Sequence, residues 1–221
     1  MSYDRIVGYC RILRLALILR LLMILSPIVV MFLFSLIAGF LTKSLNADIR
    51  FFMGFTFVVA IVVSGVLDLV ALLLLFNGFR NAYSVHGFLV YKLAFFSSLV
   101  LLILSVVSVA VTAYAVITSP APIYGLAIIS RIVFEVSPIL GLIYLLVIVV
   151  GEIVIYRAFI SLGVVNSSSL LVNGGYTGIA SVFAFAFIRL HAFWELASIV
   201  LYVFAHILLI VGLSRMISQY M

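Results

Sequence analysis

Ionisable residues inside long apolar runs are the residues of this sequence most able to do chemistry. Asp68 lies in the run SGVLDLVALLL, with no basic residue within a helical turn of it. An acidic residue at the centre of a membrane helix costs on the order of 3 kcal/mol, so it should face other helices and have a proton, a cation or a basic side chain as partner. Two interpretations stay open: a proton or cation relay, or a neutral acid or buried pair with Lys92 or an arginine that sets helix register.

Glu152 and Lys92 lie nearer the ends of their apolar runs. Glu152 is about one helical turn from Arg157, and Lys92 comes near the start of the third run. A long charged side chain in such a place can reach the headgroup region. A structural role is therefore expected for both, with a part in ion relay as the alternative.

The histidines are the residues that would bind a haem. His206 lies within the last apolar run, whereas His191 lies in the turn before it and His86 in a polar loop. A membrane b-type haem needs axial ligands at matching depth, which no pair of these histidines supplies. His206 is therefore expected to pack and to hydrogen-bond to a neighbouring helix, with ion relay as the alternative. No cofactor is predicted.

Metal and nucleophilic catalysis are not predicted either. Cys10 is the single cysteine, which excludes paired-cysteine zinc sites and cysteine-ligated clusters, and the histidines and carboxylates are few and scattered. No serine lies in a G-x-S-x-G motif. The sequence therefore predicts a non-enzymatic protein without a metal site.

Hydroxyl side chains recur at helical spacing along the third apolar run. Small and hydroxyl residues let membrane helices approach closely and hydrogen-bond to one another. A helix-packing role is expected, although the same residues could line a water-filled path. The members of this polar stripe are Ser98, Ser105, Ser108 and Thr112.

The composition decides which medium surrounds these residues. Of 221 residues, 68% are hydrophobic and 8% charged, with a mean hydropathy of +1.51. Soluble domains carry about 25% charged residues, so a soluble enzyme, a disulfide scaffold and a disordered tail are excluded. The chain is predicted to be an all-α, polytopic transmembrane helix bundle. The lipid bilayer is its expected partner, and the net charge of +6 is attributed to topology and anionic headgroups rather than nucleic acid.

About six spans are predicted within one integral membrane domain, 1–221, with five or seven as alternatives. Residues 3–20 are a candidate interfacial helix, and Pro27 is a possible kink. Arg131 and Glu135 form a helix-compatible pair before Pro138. Polar connections are expected at 42–50, 80–87, 118–125, 161–175 and 189–195. The predicted spans cover 21–41, 52–79, 89–117, 139–156, 170–188 and 196–214.

Three predicted span ends resemble one another. LLLLFNGFR (72–80), VIVVGEIVIYR (147–157) and ILLIVGLSR (207–215) each combine an apolar run, a glycine and an arginine. They could mark three related helical hairpins, as in many transporters, or reflect shared composition alone. With both termini on one side, that side holds eight basic residues and the other four, which predicts cytoplasmic termini in the cell membrane.

Three functions remain in order of preference. A transport or channel component, or a subunit of a translocation machinery, would use Asp68 and the polar stripe as its path. A structural or assembly subunit of a larger membrane complex, with homo- or hetero-oligomeric partners, would use Asp68 as a fixed pair. A membrane enzyme or electron-transfer subunit comes last because ligands are lacking.

Overall fold

The protein is a multi-pass membrane protein, and the part of the chain that the structure describes forms six helices. The computed structural model describes residues 3–45, 49–118, 138–187 and 192–221, and helices are the only regular secondary structure within these ranges. All six of these helices are long and apolar enough to cross a membrane. They are α1 (Tyr3–Leu45), α2 (Ile49–His86), α3 (Leu89–Thr118), α4 (Pro138–Val165), α5 (Ser169–Ala186) and α6 (Ala192–Tyr220). The predicted all-α bundle is thereby confirmed.

The helices are arranged as a closed ring. Within the described ranges each helix packs mainly against its chain neighbours, and α6 returns to pack against α1. Helix α4 therefore lies opposite α1. Large apolar side chains such as Phe32, Val66 and Leu146 are exposed on the outside of the ring. They suit a lipid environment, in which outward-facing apolar surface has no need of a protein partner.

One end of the ring is tied together by polar and aromatic contacts. The Tyr9 hydroxyl lies 2.8 Å from His86 Nε2, which joins α1 to α2. The rings of Tyr3 and Tyr220 lie 5.7 Å apart, which joins α1 to the end of α6. Arg80, Arg157 and Arg215 are exposed five to eight residues before the ends of the even-numbered helices. This basic end consists of Arg5, Arg11, Arg14, Arg80, Lys92, Arg157 and Arg215.

The first helix corrects one prediction. Residues 3–20 form one continuous helix with the predicted span 21–41 rather than a separate interfacial helix, and the described part of this helix is apolar enough to cross a membrane over Tyr3–Phe34. Buried residues recur every three or four positions along this segment, so one face of the helix belongs to the core. The residues of this face are Ile6, Tyr9, Cys10, Leu13, Ala16, Leu17 and Arg20.

Helix α1 runs through Pro27 without a break. A proline inside a helix has no N–H to donate to the carbonyl four residues earlier, which here belongs to Met23. The Ser26 hydroxyl donates to that Met23 oxygen at 3.0 Å. The Ser26 and Ser64 hydroxyl oxygens are also 3.0 Å apart, so the same serine contacts α2.

Three of the predicted connections are shortened by helices that extend into them. Helix α2 continues to His86, and the turn that was expected over 80–87 narrows to Gly87 and Phe88, with Gly87 at φ +68°. Of the predicted connection 161–175, only 166–168 lie between helices. Helix α6 begins at Ala192, within the predicted turn 189–195. Residues 119–137, which include Arg131 and Glu135, and 188–191, which include His191, lie outside the described residues.

Three glycines of α5 allow this helix to pack closely against α4 on one side and α6 on the other. A Cβ atom at Gly174 would lie 2.8 Å from Leu209, and one at Gly175 would lie 2.9 Å from the Tyr156 carbonyl oxygen. A Cβ at Gly178 would collide with the Tyr156 ring. The fifth candidate span therefore includes these glycines, as predicted, and they let α4 and α6 each approach the α5 backbone closely.

The hypothesis of three related hairpins stays a prediction, with one structural parallel. In each hairpin the second helix presents a glycine to a leucine of the first: Gly78 to Leu13, Gly151 to Leu101 and Gly212 to Leu171. The parallel concerns the type of contact, because the three glycines lie at different distances from the arginine that follows.

Replacing Gly175 should destabilise the ring. In Gly175→Ala the added methyl group meets a backbone oxygen and Ile160, and overpacking of this kind costs about 1–3 kcal/mol. Gly8→Ala is the matched control, because nothing lies within 4 Å of a Cβ there and alanine favours a helix. Thermal unfolding in detergent should show a lower Tm for Gly175→Ala alone. Equal Tm values would contradict the close packing of α4 and α5.

Candidate functional site

A buried ion pair crosses the interior of the ring. Arg20 Nη1 donates to Glu152 Oε2 at 2.7 Å, and Nη2 donates to Oε1 at 2.6 Å. The Arg20 side chain is 5% exposed and that of Glu152 14%. Two parallel charge-assisted bonds are the strongest arrangement available to these groups. The pair joins α1 to α4, which lie on opposite sides of the ring.

Both members of this pair lie near the middle of their spans. Arg20 lies well inside the apolar span Tyr3–Phe34, and Glu152 lies midway along Gly141–Val165. Lipid contains no water to solvate these charges, so each depends on the other. The predicted place of Glu152 near the membrane interface stays a prediction, whereas Arg20, which was counted among the basic residues of the loops, is buried in the helix bundle.

The sequence carried a signal for Arg20 that the span prediction missed. The buried positions of α1 repeat every three or four residues from Ile6, and Arg20 continues the series three residues after Leu17. Extending this helical periodicity through the arginine would have placed it on the core face. The prediction began the span after Arg20 because arginine usually stops a membrane segment.

Asp68 lies beside this pair on α2. The Ser105 hydroxyl of α3 donates to Asp68 Oδ2 at 2.7 Å. The Arg20 guanidinium attracts the Asp68 carboxylate, and Glu152 repels it. Asp68 thus faces the bundle interior, as predicted, and an arginine lies near it. Lys92 is exposed at the basic end, about 20 Å along α3 from Ser105, and does not partner Asp68.

Further aromatic and polar residues near the ion pair belong to α4 and α6. Tyr156 is one turn after Glu152 on the same face, and its ring meets that of His206 edge-on at 6.1 Å. The rings of Tyr202 and His206 stack at 4.0 Å on α6. His206 is fully buried, and its Nδ1 is 2.9 Å from the Tyr202 carbonyl oxygen. The predicted hydrogen bond to a neighbouring helix is therefore replaced by one within α6.

We call these residues the central cluster: Arg20, Asp68, Ser105, Glu152, Tyr156, Tyr202 and His206. Three of its buried polar atoms have no hydrogen-bond partner among the described residues, namely Arg20 Nε, Tyr156 Oη and His206 Nε2. Native proteins satisfy such atoms, commonly with internal water. The cluster combines one fixed cation, two carboxylates and several groups able to exchange protons.

The polar stripe of α3 has several roles. Ser98 is buried and donates to the Ala94 carbonyl oxygen of its own helix. Ser105 belongs to the central cluster, and the Ser108 hydroxyl lies 2.7 Å from the Tyr144 hydroxyl of α4. Thr112 lies on α3, but its side chain is outside the described residues. The stripe therefore contacts both neighbours of α3.

The central cluster differs from a metal site. In the described ranges, no group of three or more His, Cys, Asp or Glu side chains is placed to hold a metal ion. Both oxygens of Glu152 already accept hydrogen bonds from Arg20. The chemistry open to the cluster is exchange of protons and of ion-pair partners.

Removing Arg20 should destabilise the protein more than removing Glu152. Arg20→Gln leaves two carboxylates without a cation, and loss of one partner of a buried pair costs about 3–5 kcal/mol. Glu152→Gln should cost less, because Asp68 remains to interact with Arg20. The double variant should cost less than the sum of the two single variants.

Unfolding in detergent measures this series. Arg157→Gln, on an exposed arginine one turn beyond Glu152, is the control and should change stability by no more than about 0.5 kcal/mol. A result in which Arg20→Gln is as mild as Arg157→Gln would show that the buried pair contributes nothing.

Comparison with family models, curated proteins and solved structures gives no match to this chain.

Proposed function

We propose that this membrane protein is a non-enzymatic transport or channel component, with the central cluster on its ion pathway. One observation carries the proposal: a second carboxylate, Asp68, accompanies an ion pair that is already complete between Arg20 and Glu152. Fixing helix register needs one acid and one base. A further acid adds a cost at membrane depth, and intramembrane acids commonly mark ion or proton paths.

The position of the pair supports a gating role. Arg20 and Glu152 connect opposite helices of a closed ring, so their side chains lie across its interior. An ion that neutralises Glu152 or displaces Arg20 would release α1 from α4. Asp68, when it is ionised, is the anion to which Arg20 could then turn, because Arg20 lies close enough to attract its carboxylate. Two alternative partners for one cation are a two-state element of the kind that transport cycles use.

The membrane orientation and the partners form part of the same proposal. Both termini are cytoplasmic, because the basic end keeps seven of its basic residues after Arg20 is moved into the span. Anionic lipid headgroups contact this basic end, and the membrane is the cell membrane. Homo- or hetero-oligomeric membrane partners would pack on the apolar outer surface.

A second candidate is a structural or assembly subunit of a larger membrane complex. The hydrogen bond from Ser105 to Asp68 favours it, because a carboxylate held by its neighbouring helix fixes the register of α2 against α3. This function predicts that Asp68 matters for stability and that no ion crosses the isolated protein.

Asp68→Asn separates the two functions. In the transport function it should reduce ion current through reconstituted protein at least tenfold while leaving the Tm nearly unchanged, because an amide can still accept the Ser105 hydrogen bond but cannot ionise. Currents are recorded on solid-supported membranes with gradients of H⁺, Na⁺, K⁺ and Cl⁻ in turn. Asp4→Asn is the matched control, since Asp4 is exposed in the first turn of α1.

The outcome for each function is distinct. A current that Asp68→Asn removes and Asp4→Asn leaves intact supports transport. The absence of current in the wild-type protein, together with a large loss of Tm in Asp68→Asn, favours the structural function. A current that persists in Asp68→Asn would contradict the proposed pathway.

A further inference from the structure

We infer that the central cluster binds one exchangeable proton on Asp68, and that a proton is the ion whose passage the ring controls. That protons pass through the ring rests on the proposed transport function, whereas the bound proton is inferred from the central cluster itself. Of the two candidate ions, a proton and a metal cation, the inference selects the proton.

The charges of the cluster call for one more positive charge. Arg20 supplies a single cation, and Glu152 and Asp68 would together supply two anions. A net charge in a low-dielectric interior is strongly unfavourable unless it is neutralised. Glu152 receives both guanidinium bonds, so it is the carboxylate that stays ionised. Asp68, which receives one hydroxyl bond from Ser105, is the group left to take the proton.

The donor set of the cluster favours a proton over a metal cation. Hard cations take about six to eight oxygen ligands. The Glu152 oxygens are occupied by Arg20, and Arg20 Nε can only donate. The Arg20 guanidinium attracts Asp68 and would repel a metal cation placed beside it. A proton needs one free lone pair and no coordination shell.

Groups from four helices act on Asp68 besides its own. Arg20 comes from α1, Ser105 from α3, Glu152 from α4 and Tyr202 from α6. Tyr156 and His206, which interact with Arg20 from α4 and α6, complete the ionisable surroundings of the pair. Arg20 is the one cation among these groups.

The exchange step is a simple proton transfer to water. The O–H bond of the Asp68 carboxylic acid breaks, its electron pair stays on the carboxylate, and the proton leaves on a water molecule as hydronium. The new carboxylate competes with Glu152 for Arg20. Arg20 Nε, Tyr156 Oη and His206 Nε2 are the buried polar atoms that can hold such water inside the ring.

Infrared difference spectroscopy of the purified protein tests the bound proton without any transport assay. Spectra between acidic and alkaline buffer should contain a carboxylic-acid C=O band that aspartate carboxyl isotope labelling shifts. Asp68→Asn should remove the band, and Asp4→Asn should leave it. Glu152→Gln should also remove it although Asp68 is present, because Asp68 then becomes the sole counter-ion of Arg20. The chain has three aspartates, so isotope labelling of the double variant Asp4→Asn/Asp48→Asn reports on Asp68 alone and keeps the test valid if Asp68→Asn fails to fold.

Ion-gradient measurements in proteoliposomes complete the test. A proton gradient should drive current, and Asp68→Asn should lower it at least tenfold. A band that Asp68→Asn leaves intact overturns the proton site. A current that depends on Asp68 but follows Na⁺ or K⁺ and ignores H⁺ overturns the proton inference while the transport function stands. A band that behaves as expected without current for any ion supports the proton site and contradicts the transport function.

Discussion

The contact between Arg20 and Glu152 joins helices on opposite sides of a ring in which most packing is between neighbours. Neither charge can be left alone in lipid, because nothing there replaces its hydration. The two groups therefore hold α1 and α4 at the separation that their side chains span. Polar groups of other helices lie around this pair, among them Asp68 on α2, Ser105 on α3 and His206 on α6.

Close helix packing makes the rest of the cluster possible. Helix α5 places Gly174 against Leu209 of α6 and Gly178 against the Tyr156 ring of α4. Because α5 has hydrogen atoms in place of side chains there, α4 and α6 come near enough for Tyr156 to meet His206. Helix α5, the least hydrophobic of the six candidate spans, therefore has a definite structural role. Its glycines lower its hydropathy and at the same time let the aromatic side of the cluster form.

The predictions from sequence succeeded where one helix alone decides the outcome. Six apolar helices, an inward-facing Asp68 and a hydroxyl stripe that contacts neighbouring helices follow from composition and helical periodicity. The predictions failed at helix limits and partner choice. Arg20 was counted among the surface basic residues and Glu152 was considered beside Arg157 of its own helix, because each was considered within its own segment. The two residues are 132 residues apart in the chain, so neither segment alone indicates that each supplies the counter-charge of the other.

The amino-acid sequence by itself determined that this chain resides in a lipid bilayer, that it crosses the membrane as helices, and that a carboxylate lies among those helices. These properties depend on local composition and on the backbone's need to satisfy its own hydrogen bonds. Only the tertiary structure decided which cation meets which anion, and that α6 closes a ring on α1. Those outcomes depend on how side chains of distant segments fit together across the bundle, which no single segment encodes.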